Sequence, residues 1–211
     1  KHRGISFLLC DMNTPGITVN PIINMAGDHS FNMVTFEDVR IPKKNLVGEQ
    51  NRGWYVGATL LDFERSGVDY SAGAKRTLEE LVEFAKTNSK NGVLLANDPV
   101  TRNRLSDLAI EVEVSKLISY NIAWMQGQGL VPNKEESMGK VLGTELQQHV
   151  SETGMHMLGM HGQLEPGSKH APLEGKVEHM YLTDVSQTIQ AGTSEIQRNI
   201  IATRGLGLPR G

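Results

Sequence analysis

The sequence predicts a mainly α protein: an antiparallel four-helix up-and-down bundle preceded by a short β fragment at the N-terminus. Two observations carry that expectation. Near residue 52 the apolar pattern changes from short extended runs to helical spacing. From there on, four long amphipathic stretches follow one another through mostly short links, as antiparallel neighbours require. The expected division is therefore residues 1–50, strand-like, and residues 51–211, helical.

The strand-like part opens with GISFLLC (4–10), a short apolar run. DMNTPG (11–16) follows as a turn rich in Asp, Asn, Pro and Gly, then ITVNPII (17–23) as a second extended segment. MVTFEDVRIP (33–42) alternates through Val34 and Phe36 and then slips phase to Val39 and Ile41, so a bulge or bend is expected near Glu37–Asp38. Strands this few need partner strands or a helical surface to be stable.

Trp54 to Lys86 is helical in pattern, although Gly57, Gly67 and Gly73 each weaken it by roughly 1 kcal/mol relative to Ala. The polar TNSKNG (87–92) ends the element, with Gly92 as its stop. Asp98-Pro99 opens the next helix as cap and first helical residue. Leu105, Leu108, Ala109 and Val112 supply its stripe, which Ile118 and Ile122 extend. After GQGLVPN (127–133), a helix is expected over about 134–158, another over about 172–189, and a short one over 194–203, with Ser194 or Thr193 as its cap.

With 38% hydrophobic and 21% charged residues and a formal net charge of −3, the chain has a globular composition. That charge gives no electrostatic reason to expect nucleic acid or an anionic membrane as a partner. No apolar run approaches the ~20 residues that span a bilayer. The single Cys10 excludes an internal disulfide and suits a reducing, cytoplasmic setting. The chain begins without Met, and KHRGISFLLCDM lacks a small-residue cleavage site, so it reads as a strand in a fragment of a longer protein. The histidines, including His156 and His161, lack ligand-like spacing with Cys or carboxylates, so no metal is expected.

Four segments, in order, carry a resemblance: MVTFEDVRIPKKNLVGEQNRGW (33–54), LLDFERSGVDYSAGA (60–74), HMLGMHG (156–162) and AGTSEIQR (191–198). Together they resemble the acyl-CoA dehydrogenase family. The likeness implies that residues 1–50 are the C-terminal part of a β-domain and 51–211 the C-terminal helical bundle domain. It further implies FAD as cofactor, an acyl-CoA thioester as substrate, and electron-transfer flavoprotein or a similar acceptor as partner. A homo- or hetero-tetramer is the implied assembly.

In that family a Glu on the late motif is often the base that removes the α proton; here that position is Ala191. Family members lacking it often carry the base on the first helix of the C-terminal domain, directly before an Arg, where this chain has Glu64-Arg65. The resemblance thus implies Glu64 as catalytic base, in an arrangement that tends to accompany branched, long or bulky acyl groups. A Glu-Arg pair on a helix is otherwise a solvated surface pair; what singles out Glu64 is its register with the motif and the alanine at 191. The same likeness implies substrate contacts for Asp62, Arg65 and Gly192, and flavin contacts for His156, Gly159, Gly162, Thr193 and Glu195. His156 and Met160 depart from the family's Gln-Ile-x-Gly-Gly-x-Gly, and SKNGVLLAND (89–98) replaces its Arg-x-x-Phe-Gly loop. Those departures leave an alternative: a non-catalytic or non-dehydrogenating subunit that lends flavin contacts and assembly to a heteromer.

Overall fold

The structure, a computed structural model, describes residues 2–63 and 67–209 and, for residues 60–63, the backbone alone. The chain forms two compact units, Lys1–Arg65 and Ser66–Gly211.

In the first unit, β1 (Phe7–Leu8) pairs antiparallel with β4 (Leu46–Val47). β2 (Ile17–Ile22) pairs antiparallel with β3 (Phe31–Phe36), Ile17 opposite Phe36 and Ile22 opposite Phe31. The expected bend is present: β3 ends at Phe36, the Glu37 N–H donates to the Gly16 carbonyl at 2.8 Å, and Asp38 takes φ +49°. Helix α1 (Gly53–Phe63) closes the unit, its first residue bonded to the Ile5 carbonyl at 2.7 Å. A Cβ at Gly53 would collide with the backbone of Ser6 and Phe7, which is why glycine stands there.

The second unit is helical. α2 (Val68–Thr87) begins after Gly67, whose φ of +69° is left-handed. The expected single helix from Trp54 to Lys86 is therefore two, because an α-helix cannot run through a left-handed residue. After α2, Asn88 is the cap, and β5 (Ser89–Lys90) and β6 (Val93–Leu94) form a small hairpin. Asn91 and Gly92 both have positive φ, as the two-residue turn of such a hairpin demands. Gly92 is thus a hairpin turn and not a helix stop.

α3 (Pro99–Gly127) starts as its sequence predicts, with the Asp98 carboxylate accepting from the Thr101 N–H at 2.9 Å. α4 (Asn133–Leu158) follows. The helix expected over 172–189 is broken instead. Leu173, Glu174 and Gly175 are all left-handed, leaving a 3-10 turn at Pro172–Gly175, α5 (Lys176–Thr183) and a second 3-10 turn at Asp184–Thr188. α6 (Ser194–Ile200) ends the unit and passes into a π-helical turn at Ile201–Gly205.

The core lies where α2, α3 and α4 pack on one another, with α5 and α6 against α4. Leu81, Leu108, Val112, Leu146, Val150 and Val177 are among its buried members. α4 comes close to its neighbours through small residues: a Cβ at Gly143 would lie 2.8 Å from Tyr70 Cβ, and one at Gly154 2.7 Å from Val177 Cγ1.

Candidate functional site

The C-terminal end of α4 carries one of the two groups of expected site residues. Gly159 ends the helix at φ +56°, ψ −131°, a conformation open essentially to glycine alone. A 3-10 turn, Gly159–Gln163, follows. His156 is exposed and lines a cleft of about 560 Å³ with Lys90, Asp98, Arg104 and Met157. Gly159 lines a neighbouring cleft of about 660 Å³ with Lys90, Met160, His161 and Pro172. A Cβ at Gly159 would meet nothing nearer than Lys90 Nζ at 4.0 Å, so this backbone is open to a bound group. Gly162, by contrast, is buried against its own neighbours: an added Cβ would sit 3.2 Å from both Leu158 Cβ and Met155 Sδ.

The cleft is cationic on balance. Its one carboxylate, Asp98, is engaged by the Thr101 hydroxyl at 2.7 Å and the Thr101 N–H at 2.9 Å. Those two bonds hold its carboxyl below the usual range. Lys90 and Arg104 are the residues that sequence reading missed. The signal for Lys90 was the Asn-Gly pair beside it, which makes the hairpin that projects it; Arg104 sits on the second turn after the Asp98-Pro99 cap.

The second group lies at the N-terminus of α6. Ala191 and Gly192 are consecutive left-handed residues, φ +53° and +90°. Gln197, 1% exposed, reaches back and donates from Nε2 to the Ala191 carbonyl at 3.2 Å. A Cβ at Gly192 would come within 2.5 Å of that nitrogen, the end of a side chain, and its φ of +90° is one that favours glycine. Thr193 is the cap, its hydroxyl accepting from the Ile196 N–H at 3.3 Å, while the Ser194 Oγ is buried without a partner among the described residues. Gln197 Oε1 is likewise buried and unpaired among them. Glu195 is exposed, and its own backbone N–H, then the Thr193 hydroxyl, hold its carboxyl below the usual range.

Two contacts fasten the flanks of this turn to α4. On the α6 side Arg198 meets Glu145 at 2.8 Å, which pushes the guanidinium further up, and in the preceding 3-10 turn the Gln187 carbonyl accepts from Lys140 Nζ at 3.1 Å. The structure thus gathers Gly192, Thr193 and Glu195 in one place and His156 and Gly159 in another. Along α4 the Glu145 and His156 levels are about 16 Å apart. Glu64 and Arg65 lie outside the described residues, and of Asp62 only the backbone, in α1, is described.

Chemically, the late turn holds no free base. Ala191 has no titratable group, and Glu195, the turn's carboxylate, is solvated and held ionised at its helix start, which makes it a poor acceptor for a carbon-bound proton. Among the described residues no three His, Cys, Asp or Glu side chains cluster as a metal site, and no helix is long and apolar enough to cross a membrane.

Residues 51–206 match the C-terminal domain of acyl-CoA dehydrogenases. The chain is 35% identical over 215 residues to acyl-CoA dehydrogenase FadE26 of Mycobacterium tuberculosis (strain ATCC 25618 / H37Rv), covering 100% of this chain and 53% of the relative. Among solved structures it is similar to the ChsE4-ChsE5 complex from Mycobacterium tuberculosis, with a TM-score of 0.90 and 34% identity over 100% of this chain and 55% of that one. It is also similar to the Tcur3481-Tcur3483 steroid ACAD, with a TM-score of 0.87 and 27% identity over 100% of this chain and 53% of that one. The chain spans about half the length of the curated relatives it matches.

Proposed function

The chain belongs to the acyl-CoA dehydrogenase family, and on that premise we propose that it serves FAD-dependent α,β-dehydrogenation of an acyl-CoA thioester, with Glu64 as the base. The observation that carries this reading is the late turn. Its usual carboxylate position is Ala191, and its remaining carboxylate, Glu195, is occupied at a helix start. A base must then come from elsewhere, and Glu64, directly before Arg65, is the carboxylate that the family motif offers.

The residues at hand suit FAD. Lys90 and Arg104 with His156 make a cleft fit for a diphosphate, and the open backbone at Gly159 admits close approach. Gly162 lies in the same turn. Thr193 and Glu195, with the unpaired Gln197 Oε1 and Ser194 Oγ beside them, would hold the cofactor at the other end of the site. FAD, when bound, supplies the acceptor for the hydride that leaves the β carbon. Glu64 takes the α proton as the α C–H electron pair moves into the new double bond. Asp62, Arg65 and Gly192 would position the thioester.

Alanine at 191 frees volume beside the reacting carbons, and the steroid named for one similar structure supports a bulky, polycyclic acyl group. Two similar structures are named for pairs of chains, which supports a heteromeric assembly, read here as a tetramer, for this protein too. Electron-transfer flavoprotein or a similar acceptor would reoxidise the cofactor, in the cytoplasm. Within that assembly α2, α3, α4 and the broken 172–189 segment take the roles of an antiparallel four-helix bundle.

The test uses the whole protein in its native assembly. Bleaching of the flavin absorbance on adding acyl-CoA thioesters is expected, and Glu64→Gln is expected to slow it by about 10²–10⁴-fold, the usual share of a general base. Undiminished bleaching in the variant removes Glu64 from the mechanism, whereas an unbleached wild type removes the dehydrogenase reading.

A further inference from the structure

Asp38, Asn51, Asn91, Leu173, Glu174 and Ala191 are the residues other than glycine with positive φ among those described. Asp and Asn reach that region readily, because their short polar side chains bond the nearby backbone. Alanine has no such group. At φ +53° the Ala191 Cβ is crowded against the following carbonyl oxygen, and such strain persists where surrounding groups over-determine it.

Gln197 is the group placed to do so. Its side chain is buried at 1% exposure, and Nε2 donates to the Ala191 carbonyl at 3.2 Å and lies 3.5 Å from the Gly192 carbonyl. α6 sets this geometry. The Gln197 N–H donates to the Thr193 carbonyl at 2.9 Å, so residue 197 stands in the first turn of the helix. A helical side chain leans back toward the N-terminus, here onto the carbonyls of 191 and 192. Gly192 leaves the amide its space, since a Cβ there would lie 2.5 Å from Nε2 and displace it. The flanks are fixed separately. Gln148 Nε2 donates to the Asp184 carbonyl and to the Thr188 hydroxyl, both at 3.2 Å, and Arg198 meets Glu145 at 2.8 Å. α4 therefore sets where the segment lies, and Gln197 sets the conformation of its centre.

We propose that Gln197 is a positioning residue for the reaction. By holding the carbonyls of Ala191 and Gly192 it lets a residue with a side chain stand where the backbone alone selects glycine. The proposal rests on the dehydrogenase reading for what the turn is positioned against, the thioester and the flavin.

The test uses the whole protein in its native assembly. Gln197→Met keeps the length of the side chain and removes the donor. It is expected to slow flavin bleaching at saturating thioester by about 10-fold per bound flavin, the effect of one buried hydrogen bond on a conformational equilibrium. Hydrogen exchange over residues 186–198, followed without thioester, is expected to quicken by about the same factor. Adding Ala191→Gly to Gln197→Met is expected to return the bleaching rate to within about 3-fold of the wild type, because glycine enters the left-handed region freely. Lost packing alone would leave the combined variant as slow as Gln197→Met. The proposal is overturned by an unaltered rate and unaltered exchange in Gln197→Met, or by a loss that Ala191→Gly does not recover. A Gln197→Met chain that folds in neither background overturns it as well. A wild type that no thioester bleaches removes the dehydrogenase reading instead, and unaltered exchange in Gln197→Met then still overturns the clamp.

Discussion

The helical unit and the N-terminal unit both expose large apolar residues, yet among the described residues only the helical unit also buries a set of them. In Ser66–Gly211, Leu81, Ile122, Leu146 and Val150 are at most 1% exposed. In Lys1–Arg65 the large apolar residues Ile5, Leu8, Val19, Ile22, Phe31, Met33 and Phe36 all stand exposed. The difference follows from geometry. Helices of 20 to 29 residues bring many side chains to one shared seam, whereas a two-stranded ribbon such as β2–β3 leaves most of its residues exposed. Hydrophobic composition does not make a core; layering does. The largest expected effect therefore lies in the helical seam. Leu81→Ala should lower its unfolding free energy by about 2–5 kcal/mol, the transfer loss plus the cavity left behind. Urea unfolding followed by helical circular dichroism measures this. A loss well under 1 kcal/mol would mean that the seam collapses around the gap and the contrast is overstated.

That contrast was only half legible beforehand. The start of α3 was readable because Asp98-Pro99 encodes both a cap and a pre-set φ, and both act locally. The breaks were less so. Gly67 and the Leu173–Gly175 turn are left-handed within stretches that read as helical by spacing, and a Cβ at Gly175 would collide with the backbone of Glu165 and Pro166, a contact that periodicity does not reveal. Gly92 misled because a helix stop and a hairpin turn both call for positive φ; its neighbour Asn91 was the deciding signal. At the candidate site, the glycine-bearing end of α4 and the 191–198 turn were found through motif. Lys90 and Arg104 were not, since they share a cleft only once separate segments fold together, and Gln197 was not, since its bond back to Ala191 closes only when the left-handed 191–192 turn has formed.

A middle-sized effect tests whether the helical seam is dry enough to discourage charge. Asp184, 6% exposed, has an Oδ2 with no partner among the described residues, while Asp11 and Asp38 of the other unit are exposed. Burial pushes its carboxyl above the ordinary value of 3.8, against the opposing pull of Ser151 and then His179. A folded-state pKa above the unfolded one means the stabilisation is complete below the unfolded value and is lost as pH rises through the folded one. Asp184→Asn should therefore flatten the decline in stability with rising pH above about 4, and match the wild type most closely in acid. Urea midpoints at a series of pH values measure both slopes. Parallel slopes would show that the side chain is effectively solvated.

The smallest expected effect belongs to the β2–β3 ribbon. Met33, opposite Asn20 in the register, is 55% exposed. Met33→Gln changes hydration at an open face and removes no packed neighbour, so unfolding should shift by less than about 0.5 kcal/mol. Thermal unfolding of both chains under one set of conditions decides the matter. A shift of 1 kcal/mol or more would require the ribbon face to be covered in solution, because only a side chain withdrawn from water can lose that much on gaining an amide. The two units would then differ in what covers their apolar faces, and not in whether those faces are covered.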